Sequence, residues 1–315
     1  MDKLKNQLNE CFSKMNKIHY NGKCLYPNCN NNAIQSHSQT KSVLKNICQE
    51  SHVVGFNTNK IKLNKGGFFK KYGVNIASTF DGFCSTHDNS CFDLIEHFEL
   101  NDMNDEQASL FLYRSICYEY VRKLTTLKRN MFLLNFLKKN EYSTEKIELL
   151  ENFSRGISFF IDNELPFYKK QIEEILINKS YSNISYLFKV IHKKIPISIS
   201  TLINPNFNEH SVKIGNIQPI FSLNIIPYEK HGLVIISWHN DFNEKMQQVN
   251  REFDQNFSKL INYLCFLESE DFYISPNFYE SNIKKEKKYF LNALFNRFSE
   301  PYFGYNETKE IIKFD

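Results

Sequence analysis

Long hydrophobic runs are absent from this 315-residue sequence. Its longest apolar segments, MFLLNFL at 131–137 and GLVIISW at 232–238, are far shorter than the ~18 residues that cross a bilayer. The first 20 residues contain acidic side chains and lack the apolar core of a signal peptide, so they are more typical of an amphipathic helix. We therefore expect a cytoplasmic protein with no membrane partner.

Common catalytic motifs are also absent. The sequence has no GxGxxG, no P-loop, no GxSxG and no HExxH, which argues against the usual nucleotide-binding and hydrolase classes. It has no internal repeat and no low-complexity linker. The formal net charge is only +4, which permits contact with nucleic acid but does not require it.

Apolar and aromatic residues are plentiful, at 42% and 15% of the chain, which is enough for a substantial core. Helical spacing dominates residues 103–192, where Ser143 is a candidate helix N-cap and Pro166 a candidate break. β-branched segments follow from about residue 195, and two of them form a predicted hairpin around 228–232. The pattern predicts an α+β fold with a treble-clef-like zinc module at the N-terminus, a helical middle and a small C-terminal antiparallel sheet packed with helices.

Cysteine is concentrated in the first third of the chain. Six of the eight cysteines precede residue 100, and disulfides are not expected in a cytoplasmic protein. The eight are Cys11, Cys24, Cys29, Cys48, Cys84, Cys91, Cys117 and Cys265. Clustered cysteines with nearby histidines are better explained as metal ligands. We therefore divide the chain into a zinc-binding module, 1–102, and a partner- or target-recognition region, 103–315.

Two closely spaced pairs predict a structural zinc site. Cys24 and Cys29 lie on a knuckle, and Cys84 and His87 lie where a helix begins, so that together they form a Cys3His ligand set. Cys48 and His52 form a competing pair. The alternative without metal is a set of separate buried cysteines and a surface histidine.

The segments CLYPNCNNNAIQSHSQ and FCSTHDNSCFDLIE together resemble HNH-type modules of the zinc-bearing treble-clef kind, over about residues 20–100. In that family a cysteine pair precedes a strand that ends in the general-base histidine, and a second pair opens a helix. The resemblance implies that Cys24, Cys29, Cys84 and His87 bind structural zinc. It implies that His37 is the general base and that Asp88 occupies the position of a catalytic-metal ligand.

The resemblance also implies a catalytic Mg²⁺ or Mn²⁺ ion and a nucleic-acid substrate. Ser36 stands where an acidic residue or histidine is common, and no single asparagine among Asn57, Asn59, Asn64 and Asn75 is favoured as the central residue of the motif. Asp88 is equally well placed to cap a helix. His37 is equally well placed to bind the same zinc or to hydrogen-bond the start of a helix. The lysines available to hold phosphates are Lys41, Lys45, Lys60, Lys62, Lys65, Lys70 and Lys71, although a solvated surface explains most of them.

Two functions remain open from the sequence. One is a metal-dependent HNH-like nuclease, which in bacteria would suit defence against phage. The other is a non-enzymatic, zinc-stabilised protein that binds a partner protein or nucleic acid. In the helical region, the charged residues Arg114, Glu119, Arg122 and Lys123 are expected on a solvated face. For Arg114 and Glu119 the alternative is a buried ion pair or a contact with the zinc module.

Overall fold

The computed structural model describes residues 2–56, 67–96, 103–204, 219–269, 271–286, 288–290, 292, 305 and 308–314. Its helices are α1 (Asp2–Met15), α2 (Lys41–Lys45), α3 (Ser85–Glu96), α4 (Asp105–Lys139), α5 (Thr144–Phe159), α6 (Leu165–Asn178), α7 (Asn243–Gln255), α8 (Phe257–Tyr263) and the short α9 (Pro276–Phe278). Its strands are β1 (Ile34–His37), β2 (His52–Phe56), β3 (Phe69–Gly73), β4 (Thr79–Phe83), β5 (Ile184–Ile191), β6 (Ile197–Ile203), β7 (Phe221–Pro227), β8 (Gly232–His239) and β9 (Phe272–Ile274). The α+β class is confirmed.

One antiparallel sheet of seven strands organises the molecule. The strand order is β3-β2-β9-β6-β7-β8-β5, and β1 pairs separately with β4. The predicted hairpin is present: β7 pairs with β8, and the Tyr228 backbone N–H donates to the His231 carbonyl oxygen at 2.8 Å. The sheet is larger than the small C-terminal sheet that the sequence predicted, because β2 and β3 belong to it.

Helices cover both faces of the sheet. Tyr186 of β5 donates a hydrogen bond to the Met103 carbonyl oxygen beside the start of α4, whereas Lys189 lies 3.9 Å from the ring centroid of Phe257 in α8. Because residues three apart on a strand point to opposite faces, α4 and α8 lie on opposite sides. The result is a three-layer arrangement with the sheet in the middle.

The helical middle contains one long helix, α4, which begins with a capping box. The Asn104 side chain accepts from the Gln107 backbone N–H at 2.9 Å, and the Gln107 side chain accepts from the Asn104 N–H at 3.0 Å. No full break occurs near Pro166: the chain stays helical from α5 to α6, with a π-helical turn at Phe160–Glu164 between them. Among the described residues, no helix has the length and apolarity that crossing a membrane requires.

The core is continuous between the two ends of the chain. Leu25, Phe83 and Phe92 belong to the same buried cluster as Ile199 and Ile236 of the large sheet. Val54 of β2 also pairs with Ile274 of β9, so strand pairing connects the two sides of the 102/103 boundary. The predicted zinc module is therefore packed against the rest of the molecule.

Candidate metal centre and adjacent histidine

The first ligand pair sits on a tight knuckle. Its two sides are joined by a bridge between Lys23 and Asn32, and the Cys24 N–H donates to the Asn31 carbonyl oxygen at 2.8 Å. Asn28 turns the loop with a positive φ of 59°, a conformation that asparagine tolerates well. This closed loop brings Cys24 and Cys29 together despite the four residues between them.

The second pair sits where β4 meets α3. Cys84 directly follows the strand, and His87 lies in the first turn of the helix. The knuckle is attached to β4 because the Leu25 N–H donates to the Gly82 carbonyl oxygen at 2.9 Å. Cys84 and His87, at the junction of β4 and α3, therefore lie next to the knuckle.

The four predicted ligands converge. Their ligand atoms all lie within 4.8 Å of one another, and they form a Cys3His cluster that could hold a metal ion. His87 Nδ1 lies 3.4 Å from both Cys24 Sγ and Cys84 Sγ, and Cys29 Sγ lies 3.9 Å from Cys84 Sγ. Zinc bond lengths in a tetrahedron put neighbouring ligand atoms roughly 3.6–3.8 Å apart, and these three separations lie close to that range.

Neighbouring groups orient and polarise this cluster. The Tyr26 ring stacks on His87 at 4.0 Å, and the Asn31 amide nitrogen lies 3.9 Å from Cys84 Sγ. A hydrogen bond from the His87 backbone lowers the pKa of Cys84 to about 6, whereas burial raises the pKa of Cys24 to about 11. Of these two thiols, Cys84 therefore ionises at the lower pH, and a bound cation would favour the thiolate form of its cysteine ligands.

The competing pair of Cys48 and His52 does not join this cluster. Cys48 Sγ points to the Lys45 carbonyl oxygen at 3.4 Å, and His52 Nδ1 lies 2.7 Å from the Glu50 carbonyl oxygen. Within the described part of the chain, the Cys3His set is the one group of metal-ligand residues that converges.

His37 ends β1, opposite Thr79 of β4, and is half-buried. Its Nδ1 lies 3.1 Å from the Ala77 carbonyl oxygen and 3.2 Å from the Ser78 hydroxyl. The Ser78 hydroxyl donates its own proton to the Gln39 carbonyl oxygen at 2.7 Å, so it can only accept from His37. Both contacts place a proton on Nδ1 and leave Nε2 of the neutral ring as an acceptor.

The surroundings of His37 favour the neutral ring. Burial lowers the pKa of His37 below its ordinary value, and the hydrogen bond to Ala77 opposes that effect. Among the nearby charges, Lys41 and Arg114 lower this pKa and Glu96 raises it. Since neutral imidazole is the form that accepts a proton, the site suits a base.

Asp88 lies in the first turn of α3, immediately after the ligand His87. Burial raises the pKa of Asp88, whereas the Ser36 hydroxyl and Arg114 lower it and Glu96 raises it. Ser36 is near Asp88, although no hydrogen bond of ordinary geometry joins the two side chains. No hydrogen bond among the described residues joins His37 to Asp88, but Arg114 and Glu96 act on both.

Arg114 and Glu119 correct the sequence-based expectation of a solvated face. Both are buried: Arg114 is 4% exposed and Glu119 6% exposed. Arg114 pairs with Glu96 of α3, while Glu119 pairs with Arg122 and Lys123. The signal in the sequence was the apolar run on both sides of Arg114, ASLFLY before it and ICY soon after it.

The remaining candidates are less informative. Lys41, Lys45, Lys70, Lys71 and Asn75 are exposed. The residues Asn57, Asn59, Asn64, Lys60, Lys62 and Lys65 lie outside the described residues. The central asparagine of the motif therefore stays unassigned.

Comparison with known proteins places this chain in no family. No protein-family model matches the sequence, and neither a curated protein nor a solved structure does.

Proposed function

We propose that this protein is a divalent-metal-dependent nuclease of HNH-like type, with structural zinc bound by Cys24, Cys29, Cys84 and His87. The observation that carries the proposal is the hydrogen bonding of His37, whose Nδ1 is bound to Ala77 and whose Nε2 is left as an acceptor. A neutral histidine held in this way is suited to take a proton from a water molecule that attacks a phosphodiester.

The arrangement of β1, β4 and α3 supports the proposal. β1 and β4 form an antiparallel pair, and α3 follows β4 after one ligand residue. This order places the proposed base on one element and Asp88 on another, with Arg114 and Glu96 near both. Asp88 supplies carboxylate oxygen for Mg²⁺ or Mn²⁺, which would stabilise charge developing on the phosphate.

Phosphate binding is assigned to lysines that follow the proposed base. Lys41 and Lys45 are exposed on α2, four and eight residues after His37, and Lys41 is close enough to lower the pKa of His37. Contacts of this kind hold nucleic-acid backbone without regard to sequence. Residues 103–315 would then select the target or partner, in keeping with a role in bacterial defence against phage.

The decisive test is His37→Ala, assayed with DNA and RNA substrates in Mg²⁺ or Mn²⁺. We expect cleavage to fall by about 100-fold or more, since a positioned base contributes on that order. Zinc content and thermal unfolding should stay close to wild type. The matched control is His52→Ala, which removes an exposed histidine outside the cluster and should leave cleavage unchanged. Full activity in His37→Ala would contradict the assignment.

A second candidate, a non-enzymatic binding protein, is favoured by a different observation. Ten large hydrophobic side chains are exposed among the described residues, and seven of them lie between residues 131 and 177. The seven are Met131, Phe132, Leu149, Phe153, Phe159, Phe167 and Ile177. A concentration of exposed hydrophobic side chains in one helical region is typical of a protein-binding surface.

We infer a second copy of this chain as the partner of α5 in this candidate function. Leu149, Phe153 and Gly156 share one face of α5, and space is open where a Cβ would stand on Gly156. If two copies of α5 met antiparallel across a two-fold axis, Phe153 of each would face Gly156 of the other. Sedimentation velocity over a range of concentrations tests this candidate, and a monomer at every concentration would contradict it.

A further inference from the structure

Ser78 connects the histidine site to the large sheet. It directly precedes β4, is 2% exposed, and has a positive φ of 60°. This left-handed conformation is unfavourable for a residue with a Cβ and persists only where the surrounding structure holds it. Residues strained in this way are concentrated at functional sites. The contacts of Ser78 therefore bear on the function of the site.

Ser78 takes part in four hydrogen bonds, three with the segment that carries His37 and one with the large sheet. Its hydroxyl accepts from His37 Nδ1 at 3.2 Å and donates to the Gln39 carbonyl oxygen at 2.7 Å. Its carbonyl oxygen accepts from the Ser38 N–H at 3.0 Å, and its own N–H donates to the Tyr273 hydroxyl of β9 at 2.7 Å. Ser78 thus bonds both His37 and a residue of the C-terminal region.

One peptide unit lies between Tyr273 and His37. The Ala77 carbonyl oxygen, which is 3.1 Å from His37 Nδ1, belongs to the same peptide as the Ser78 N–H. Because a trans peptide is planar and its C=O and N–H groups point in opposite directions, the Tyr273 hydroxyl holds one end of this unit and His37 binds the other. A movement of the N–H end would therefore also move the oxygen that orients His37.

Strand β2 leaves room for the Tyr273 ring. Gly55 of β2 lies opposite Tyr273 in the antiparallel pair with β9. A Cβ on Gly55 would stand 2.9 Å from Tyr273 Cε1, which is too close for a side chain, so glycine provides the space that the ring occupies. On its other side the ring packs edge-on against Tyr72, with centroids 5.9 Å apart. These neighbours fix the ring whose hydroxyl reaches Ser78.

We propose that Tyr273 is a positioning residue for His37. Its hydroxyl holds the Ala77–Ser78 peptide in place, and that peptide and the Ser78 hydroxyl keep the His37 proton on Nδ1, with Nε2 as the acceptor. The C-terminal region thus completes the site of the N-terminal module. The proposal rests on the proposed nuclease function for its catalytic meaning, whereas the position of the His37 proton can be measured without any cleavage.

The first experiment locates the His37 proton by nitrogen NMR of the full-length, zinc-loaded protein with isotope-labelled histidine, in mildly alkaline buffer where the ring is neutral. The His37 signals are assigned by their loss in His37→Ala. We expect the wild-type ring to carry its proton on Nδ1. In Tyr273→Phe, which removes only the hydroxyl, the signals of the two ring nitrogens should move toward each other, because the proton is then shared between them.

Tyr72→Phe is the matched control. It removes a hydroxyl from the ring next to Tyr273, but the Tyr72 hydroxyl donates to the Phe56 carbonyl oxygen at 2.7 Å, so the His37 signals should not change. Zinc content and thermal unfolding are measured for every variant. Unchanged His37 signals in a folded, zinc-loaded Tyr273→Phe protein, or an equal change in Tyr72→Phe, would overturn the proposal.

A double variant tests the same step through the backbone. Glycine adopts a positive φ without strain, so in Tyr273→Phe combined with Ser78→Gly the peptide should keep its conformation without the tyrosine hydroxyl. We expect its His37 signals to match those of Ser78→Gly alone. If Tyr273→Phe does not fold, the double variant should still fold and match Ser78→Gly. A double variant that fails to do so would overturn the proposal.

The second experiment measures cleavage. Because Tyr273 acts through His37 and not on the substrate, kcat should fall by about 10-fold or more in Tyr273→Phe, while KM stays close to wild type. Tyr72→Phe should change neither constant. A wild-type protein that cleaves nothing would contradict the nuclease function, and the NMR result would still decide the positioning role. A wild-type kcat in Tyr273→Phe, with the His37 proton moved, would overturn the catalytic meaning of the proposal.

Discussion

Cys84 is the residue on which the candidate metal centre most depends. It joins β4 to α3, lies near both Cys29 and His87, and has its pKa lowered to about 6 by the His87 backbone. We expect about one zinc ion per wild-type chain by elemental analysis and none in Cys84→Ser, because three ligands hold zinc poorly in a structural site. The variant should also unfold at a lower temperature, since structural metal binding contributes to folding.

The matched control for this prediction is Cys48→Ser. Cys48 belongs to the competing Cys48–His52 pair and lies outside the convergent cluster, so its variant should keep its zinc. Loss of zinc from Cys48→Ser, or its retention in Cys84→Ser, would show that the ligand set is wrong.

At the scale of single residues, the sequence identified the candidate metal ligands because the short spacing within each pair restricts where the two side chains can lie. Cysteine and histidine at short separations, on a knuckle and at a helix start, are a local pattern, and those side chains do converge. Arg114 was expected on a solvated face, whereas it is buried. The free energy of burying a charge depends on its ionic partner, which a short stretch of sequence does not reveal. Its partner Glu96 lies 18 residues earlier, on another helix.

At the scale of elements, α5 presents apolar side chains in two directions. Ile157 faces the core, while Leu149 and Phe153 are exposed. If α5 pairs with a second copy, Leu149→Glu combined with Phe153→Glu should abolish concentration-dependent association in sedimentation velocity, since charge would be buried at the contact. Ile76→Glu is the control, because Ile76 is equally exposed but lies in the turn after β3. Association that survives the double variant would exclude this surface.

Element types followed from local signals. The apolar, β-branched segments that form β7 and β8, with a short turn between them, were visible in the sequence. In the C-terminal region, α7 and α8 are separated at Asn256, which leaves the helical conformation at φ −136° and ψ 43°. The Asn256 side chain donates to the Glu252 carboxylate at 2.8 Å, one turn earlier.

For the whole molecule, the central question is whether residues 103–315 fold without the zinc module. In the full chain, β2 pairs with β9, and the Ser78 N–H donates to the Tyr273 hydroxyl at 2.7 Å. A fragment of residues 103–315 would expose the edge of β9 and part of the shared core. We expect it to lose hydrogen-exchange protection in β9 and to unfold at lower denaturant than the full chain.

Co-expression with residues 1–102 provides the control for this fragment. If the two pieces associate through β2 and β9, protection of β9 should return. A fragment that keeps the denaturant midpoint and the β9 protection of the full chain would instead establish two independent domains at the 102/103 boundary.

The sequence by itself determined the local features: the four candidate metal ligands, the helical middle, the β7–β8 hairpin and the α+β class. Each ligand pair, helix and hairpin depends on residue types and spacings within a short stretch of chain, and the fold class follows from their order. The tertiary structure alone decided that β2 joins β9, that Arg114 is buried against α3, and that Ala77 and Ser78 orient His37. Those contacts join residues about 20 to more than 200 positions apart, and the energies that select them exist only once the elements have packed.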